Sequence, residues 1–233
     1  MALLSSSVHF VRSWGECALN LAFPPVESAA RKPVRIEAPF CRQCGDPYPG
    51  VAEYSGEFVC AHCSERKWHF KWARAGYRTE GQVHEAIVGF KYRDQYYHQG
   101  RLIGWLVDAF DRHAGENSWD GLVPVPLYHR RHRERGFNQA REIADGLAAR
   151  RKIPVLGCLY RYRETVSQAR LDRMARWDNM TGAFQLKRGF DVKGKNLLLI
   201  DDVFTTGATA NACAQALAKA GAGELAVLTV ARS

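Results

Sequence analysis

The chain has 233 residues, of which 46% are hydrophobic, and its formal net charge is +9 at pH 7. This length suits one domain of ordinary size plus a small module. The sequence has no run of eighteen apolar residues, and no basic segment followed by an apolar one near its start, so we expect neither a membrane span nor a signal peptide. These features predict a soluble, cytoplasmic protein.

The first pattern along the chain is a pair of cysteine knuckles, CRQC at residues 41–44 and CAHC at residues 60–63, separated by fifteen residues. Such spacing is typical of a four-thiolate zinc site. Four thiolates leave no open coordination position, so we predict a structural zinc bound by Cys41, Cys44, Cys60 and Cys63. His62, inside the second knuckle, is a less favoured ligand. Redox pairs and disulfides are the alternatives, and a cytosolic chain disfavours them.

Several elements are predicted between this module and the middle of the chain. Residues 53–58 form a strand in this prediction. The aromatic and basic stretch over residues 68–77 is expected to pack the cysteine module onto the larger domain, with stacking on single-stranded bases as the alternative. Apolar periodicity then predicts helices over residues 83–92 and 99–113.

A short buried strand is predicted over residues 121–127, followed by a loop over residues 128–136 and a helix over residues 137–151. The loop contains Arg130, Arg131, Arg133 and Arg135, whose guanidinium groups suit a pyrophosphate or a nucleic-acid phosphate. Residues 128–176 contain thirteen Lys or Arg and five Asp or Glu, a net +8. This charge suits a polyanionic substrate, a nucleic acid or both, and arginines that simply face water are the alternative.

The next segment combines a predicted strand over residues 154–160 with a short helix over residues 174–180. Between them lies a polar stretch that we expect to be a mobile loop, able to close over a bound substrate and exclude water. The residues assigned to this role are Thr165, Ser167 and Gln168 within the stretch and Arg176 near the start of the short helix. Loop mobility without a function is the alternative.

The most informative segment is LLLIDDVFTTGAT at residues 197–209, which leads into a helix predicted over residues 210–220. A buried apolar strand ends in two carboxylates, and backbone N–H groups at the start of the following helix favour an anion. Ionised aspartates accept hydrogen bonds from ribose hydroxyls or bind Mg²⁺. Ordinary helix caps and turns are the alternative. The predicted sugar-phosphate site consists of Asp201, Asp202, Thr205, Thr206, Gly207, Ala208 and Thr209.

Residues 201–209, DDVFTTGAT, resemble the phosphoribosyl-pyrophosphate (PRPP) signature of type I phosphoribosyltransferases. The resemblance implies that Asp201 and Asp202, the catalytic acidic pair, hold the ribose hydroxyls while residues 205–209 wrap the 5′-phosphate. A last strand is predicted over residues 225–231. Strands alternating with helices predict an α/β fold, with a parallel sheet and helices on both faces.

The whole chain is similar to the ComF family of competence proteins, a family with a zinc ribbon and a phosphoribosyltransferase-like domain. The matching segments are FPP at 23–25, the two knuckles, FKY at 90–92, VPVPL at 123–127, RGFNQA at 135–140, TxSQ at 165–168, RxxN at 176–179 and DDVFTTGAT. The resemblance implies a type I phosphoribosyltransferase-like domain over residues 73–233. An N-terminal helix and the four-cysteine ribbon would occupy residues 1–72.

Two functional hypotheses follow. In the first, the protein binds a phosphoribosyl ligand and single-stranded DNA, and acts in DNA uptake or processing during natural transformation with a helicase or translocase of the competence machinery. In the second, it is a Mg²⁺-dependent enzyme that transfers phosphoribosyl from PRPP to a nitrogen nucleophile, in nucleotide metabolism or salvage. The expected cofactors are structural zinc and Mg²⁺ bound with PRPP.

Overall fold

The computed structural model describes residues 32–48, 58–92, 95–163, 180 and 182–233. Within them, a four-stranded parallel sheet has the strand order β1-β6-β5-β2, and β3 pairs with β4 in a separate antiparallel ribbon. The strands are β1 (Trp72–Arg78), β2 (Gly121–Pro124), β3 (Leu159–Arg161), β4 (Phe184–Leu186), β5 (Leu197–Phe204) and β6 (Leu225–Arg232). The helices are α1 (Ala61–Ser64), α2 (Gly81–Tyr92), α3 (Gln99–His113), α4 (His129–Arg135), α5 (Gln139–Arg151) and α6 (Ala208–Lys219), with a 3₁₀ turn at Tyr96–His98.

Helices cover both faces of the parallel sheet, which explains the uninterrupted apolar run at the start of β5. Leu197 and Leu199 belong to a core cluster that includes the buried face of α6. Leu198 and Ile200 belong to a second cluster with the buried faces of α2, α3 and α5. The predicted α/β fold, a parallel sheet flanked by helices, is therefore confirmed.

The cysteine module packs on the same face of the sheet as α6. Cys41, Cys44, Cys63 and Phe70 are buried in one core cluster together with Leu217 of α6. The predicted domain boundary after residue 72 stays a prediction, and β1 begins at that position.

Two elements differ from the sequence prediction. The stretch predicted as a link between the modules contains β1, an edge strand that pairs in parallel with β6. The predicted loop over residues 128–136 is wrong, because His129–Arg135 forms α4. Arginine is a good helix former, and Gly136, at φ 75°, ends the helix with its N–H donating to the His132 carbonyl.

The strand predicted over residues 154–160 is only partly correct. Val155 makes a single parallel bridge to Leu122 of β2, and the chain then leaves the sheet to form β3. The predicted strand at residues 53–58 and helix at residues 174–180 lie almost entirely outside the described residues. No helix in the described part of the chain is long and apolar enough to cross a membrane.

Candidate functional site

A cavity of about 340 Å³ opens at the carboxyl ends of β2 and β5. Ligands of open α/β sheets bind at this edge because the loops that follow the strands converge there. The lining includes Asp201, Asp202, Thr205, Gly207, Ala208 and Thr209 from the predicted sugar-phosphate segment. Lys91 of α2, Arg135 of α4, Gln139 of α5 and Arg161 of β3 line it as well.

The two aspartates are adjacent on β5, so their side chains leave the strand toward opposite faces. Asp202 is buried, and its carboxylate forms an ion pair with the Lys91 ammonium, in which Oδ2 and Nζ are 2.7 Å apart. Asp201 is half-buried, and its Oδ1 accepts a 2.9 Å hydrogen bond from the backbone N–H of Asp202. Both carboxylates nevertheless line one cavity, because β5 ends there.

The two carboxyl groups lie in different electrostatic surroundings. Burial and the neighbouring charge of Asp202 raise the pKa of Asp201 to about 7, and the attraction of Lys91 only partly offsets this. Asp201 therefore gains or loses a proton near neutral pH. Asp202 has a cationic partner within 2.7 Å.

The loop after β5 turns sharply at Gly207, which has a φ of 80°. A methyl group on this residue would lie 2.6 Å from Cζ of Phe204 and 2.7 Å from Cζ3 of Trp68, so both the backbone conformation and the packing require glycine. Thr205 is exposed at the cavity, whereas Thr206 is buried and lies outside the cavity lining. The start of α6 follows at Ala208, where a helix N-terminus favours an anion.

The predicted arginine cluster is only partly directed at the cavity. Arg135 lines it, donates a 3.1 Å hydrogen bond to Oε1 of Gln139 and stacks 4.6 Å above the ring of Tyr92. Arg130 pairs with Glu134 on the exposed side of α4, and Arg133 is exposed. The side chain of Arg131 lies outside the described part of the structure, as do the four predicted residues of the mobile loop, Thr165, Ser167, Gln168 and Arg176.

The cavity lining also includes polar residues that were not assigned a role from the sequence, among them Lys91, Gln139 and Arg161. Lys91 follows the apolar residues of α2 and lies within the FKY segment at residues 90–92, whose match to the family was the available signal. Gln139 is 2% exposed, and its Nε2 has no hydrogen-bond partner among the described residues. A buried amide donor of this kind at a cavity wall is suited to a ligand oxygen.

The four predicted cysteines form one cluster, with all four sulfurs within 4.8 Å of one another. The Sγ atoms of Cys44 and Cys60 are 3.8 Å apart, which agrees with the ~3.8 Å edge of a tetrahedron with ~2.3 Å metal–sulfur bonds. The Cys60 N–H donates to Cys41 Sγ at 3.3 Å, and Arg232 donates to Cys44 Sγ at 3.6 Å. Hydrogen bonding with Cys63, aided by Arg232, lowers the pKa of Cys44 to about 5. The cluster can hold a metal ion.

Comparison with known proteins gives relatives along almost the full chain. The chain is 30% identical over 224 residues to Competence protein F of Haemophilus influenzae, covering 92% of this chain and 93% of that protein. The chain belongs to the ComF family. Two further relatives of this ComF chain are the DNA utilization protein YhgH of Salmonella typhimurium, at 29% identity with 94% and 91% coverage, and Competence protein ComFC of Bacillus subtilis, at 26% with 88% and 83%.

No protein-family model matches the ComF chain. Among solved structures, it is similar to the glutamine PRPP amidotransferase of B. subtilis, with 18% identity and a TM-score of 0.40, covering 61% of this chain. It spans only 30% of that enzyme. Adenine phosphoribosyltransferase of Leishmania tarentolae gives 14% identity and a TM-score of 0.34, with 71% of each chain covered.

The raised pKa of Asp201 predicts a pH dependence of stability. The folded protein keeps this proton up to about pH 7, whereas the unfolded chain releases it near the ordinary value of 3.8. Between these values the folded state binds more protons, so the free energy of unfolding should fall as pH rises. Urea unfolding at a series of pH values should show this fall, and Asp201→Asn should remove most of it. Glu116→Gln, on an exposed turn after α3, is the control that should retain it.

Proposed function

We propose that this ComF chain binds a phosphoribosyl ligand of the PRPP type in the cavity at the carboxyl end of β5. The observation that supports this most directly is that Asp201, Asp202 and the start of α6 line the same cavity. Acceptor oxygens suited to ribose hydroxyls and N–H groups suited to a phosphate thus lie side by side. A cavity of about 340 Å³ is of the size that small-molecule ligands occupy.

In this proposal each part of the ligand has its own contacts. The 5′-phosphate lies against the loop at Thr205–Thr209, where backbone N–H groups and the Thr205 and Thr209 hydroxyls donate. The ribose hydroxyls face Asp201 and Asp202. Arg135 and Gln139, on the wall formed by α4 and α5, supply donors for the pyrophosphate. Mg²⁺ bound with PRPP offsets the remaining negative charge.

We also propose that the protein binds single-stranded DNA and acts in DNA uptake or processing in the cytoplasm during natural transformation. The names of its relatives refer to competence and DNA utilization. Exposed Arg130 and Arg133 on α4 provide phosphate contacts near the cavity, and Tyr92, 66% exposed, provides a ring on which a base can stack. A helicase or translocase of the competence machinery is the proposed partner.

A second candidate function is phosphoribosyl transfer from PRPP to a nitrogen nucleophile. The observation that favours it is Asp201, whose pKa of about 7 suits a group that accepts the proton released by the attacking nitrogen. Turnover of PRPP with an amine acceptor, lost in Asp201→Asn, would establish the transferase. Binding of PRPP without turnover would favour the first function.

The phosphoribosyl proposal predicts that PRPP with Mg²⁺ binds in titration calorimetry. Replacing both aspartates, Asp201→Asn with Asp202→Asn, removes both negative charges and replaces one acceptor oxygen of each side chain with an NH₂ donor, which should weaken binding at least ~100-fold. Glu116→Gln with Asp191→Asn changes the formal charge equally at exposed positions outside the cavity lining. That control should bind like the wild type, and equal affinity in the two double variants would refute the site.

The DNA proposal predicts binding of short single-stranded DNA whose affinity falls steeply with salt. Arg130→Ala with Arg133→Ala should weaken binding and reduce the salt slope by about 1.4, because each lost phosphate contact contributes about 0.7. The matched control is Arg150→Ala with Lys219→Ala, at the far ends of the two helices that begin at the cavity. Fluorescence anisotropy over a salt series measures this, and absence of binding at low salt would exclude the proposal.

We propose that the metal in the four-cysteine cluster is zinc, with a structural role. Purified protein should contain about one zinc per chain by elemental analysis, and Cys44→Ser should lose it. Stripping the metal with a chelator should lower the unfolding temperature, because metal binding stabilises the folded state. Cys213→Ala, at a buried cysteine outside the cluster, is the control that should retain the metal. Equal zinc content in both variants would contradict the assignment.

A further inference from the structure

The loop at residues 205–209, named the phosphate loop after its proposed role, contacts the cysteine module on the side away from the cavity. His62 lies on α1, between the two cysteines of the second knuckle, and its Nε2 is 3.3 Å from the backbone carbonyl oxygen of Thr206. Thr206 itself is buried outside the cavity lining. The backbone of the loop is thus in contact with the module next to the residues that line the cavity.

The direction of this hydrogen bond follows from the other nitrogen of the ring. NH1 of Arg66 lies 2.8 Å from Nδ1 of His62 and also donates to the His62 carbonyl at 2.9 Å. A guanidinium group can only donate, so Nδ1 accepts and the ring proton resides on Nε2. Nε2–H therefore donates to the Thr206 carbonyl. Both ring nitrogens are engaged, which leaves His62 unsuited to replace a cysteine as metal ligand.

Residues that follow the second knuckle make further contacts with the loop and with the start of α6. Trp68 donates from Nε1 to the Cys63 carbonyl at 3.2 Å, and its ring packs where a side chain on Gly207 would lie. The side chain of Asn211 on α6 accepts from the His69 N–H at 2.8 Å and donates to the Lys67 carbonyl at 3.1 Å. These contacts fix the first turns of α6 relative to the module.

We infer that His62 is a positioning residue for the phosphate loop. Its hydrogen bond to the Thr206 carbonyl holds residues 205–209 in the conformation in which they line the cavity, and Arg66 holds the ring in the required tautomer. The role of the loop as a phosphate site rests on the proposed function. The contact between His62 and the loop backbone is independent of the proposed function.

The test compares His62→Ala with His62→Gln, whose amide nitrogen replaces Nε2. Ser64→Ala is the matched control, because Ser64 lies on the same helix and its hydroxyl donates to the Ala61 carbonyl of that helix. Hydrogen exchange is measured without ligand on peptides covering residues 205–212, where the Asn211 N–H donates to the Gly207 carbonyl. PRPP affinity is measured separately by calorimetry, and zinc content verifies the cluster in each variant.

We expect exchange over residues 205–212 to be about three- to tenfold faster in His62→Ala, with PRPP affinity lower by a similar factor, as for the loss of one hydrogen bond. His62→Gln should restore both, and peptides from α5 should be unaffected. Unchanged exchange in zinc-loaded His62→Ala would overturn the inference. If His62→Ala loses zinc, Arg66→Met, outside the knuckle, serves as the test variant. Unchanged exchange over residues 205–212 in zinc-loaded Arg66→Met would likewise overturn the inference. Failure of the wild type to bind PRPP would refute the proposed ligand, and exchange would still decide the role of His62.

Discussion

The turn between β5 and α6 depends on the positive φ of Gly207 and on the absence of a side chain there. The rings of Phe204 and Trp68 close over this residue, so the strand, the helix and the cysteine module meet at one backbone position. Because Gly207 is held by packing against these two rings, the conformation of the turn that lines the cavity is set by the fold. A turn that is rigid before binding lowers the entropic cost of holding a ligand there.

Charge within the cavity is balanced in a way that the sequence alone does not show. Two adjacent carboxylates would repel a phosphorylated ligand if both were ionised and unpaired. Lys91 neutralises Asp202, and the pKa of about 7 keeps Asp201 protonated for part of the time near neutral pH. Arg135 of α4 and Gln139 of α5 add donor groups to the lining, and no carboxylate among the described residues of these two helices lines the cavity. The cavity can therefore accept an anion beside acidic groups.

The elements that the sequence predicted well are those with strong local patterns. The apolar run of β5 predicts a buried strand, and the apolar periodicity over Gln99–His113 predicts a helix. The spacing of the cysteines predicts their cluster. β1 was missed because its burial depends on β6, far along the chain, and its small residues carry little apolar signal. α4 has no apolar stripe, because every residue of His129–Arg135 is charged or a histidine, so periodicity gives no sign of a helix there. The role of Lys91 depends on Asp202, a partner that spacing does not reveal.

The strand order has a consequence for synthesis on the ribosome. β1 pairs only with β6 in the parallel sheet, and Trp72 lies beside Ala226. At typical elongation rates, roughly 8 to 30 s pass between the emergence of these two strands. During that interval the edge of β1 that later faces β6 has no strand to pair with, so the nascent chain cannot close this sheet until β6 has been translated. The strand that completes the sheet is therefore β6, which lies between β1 and β5.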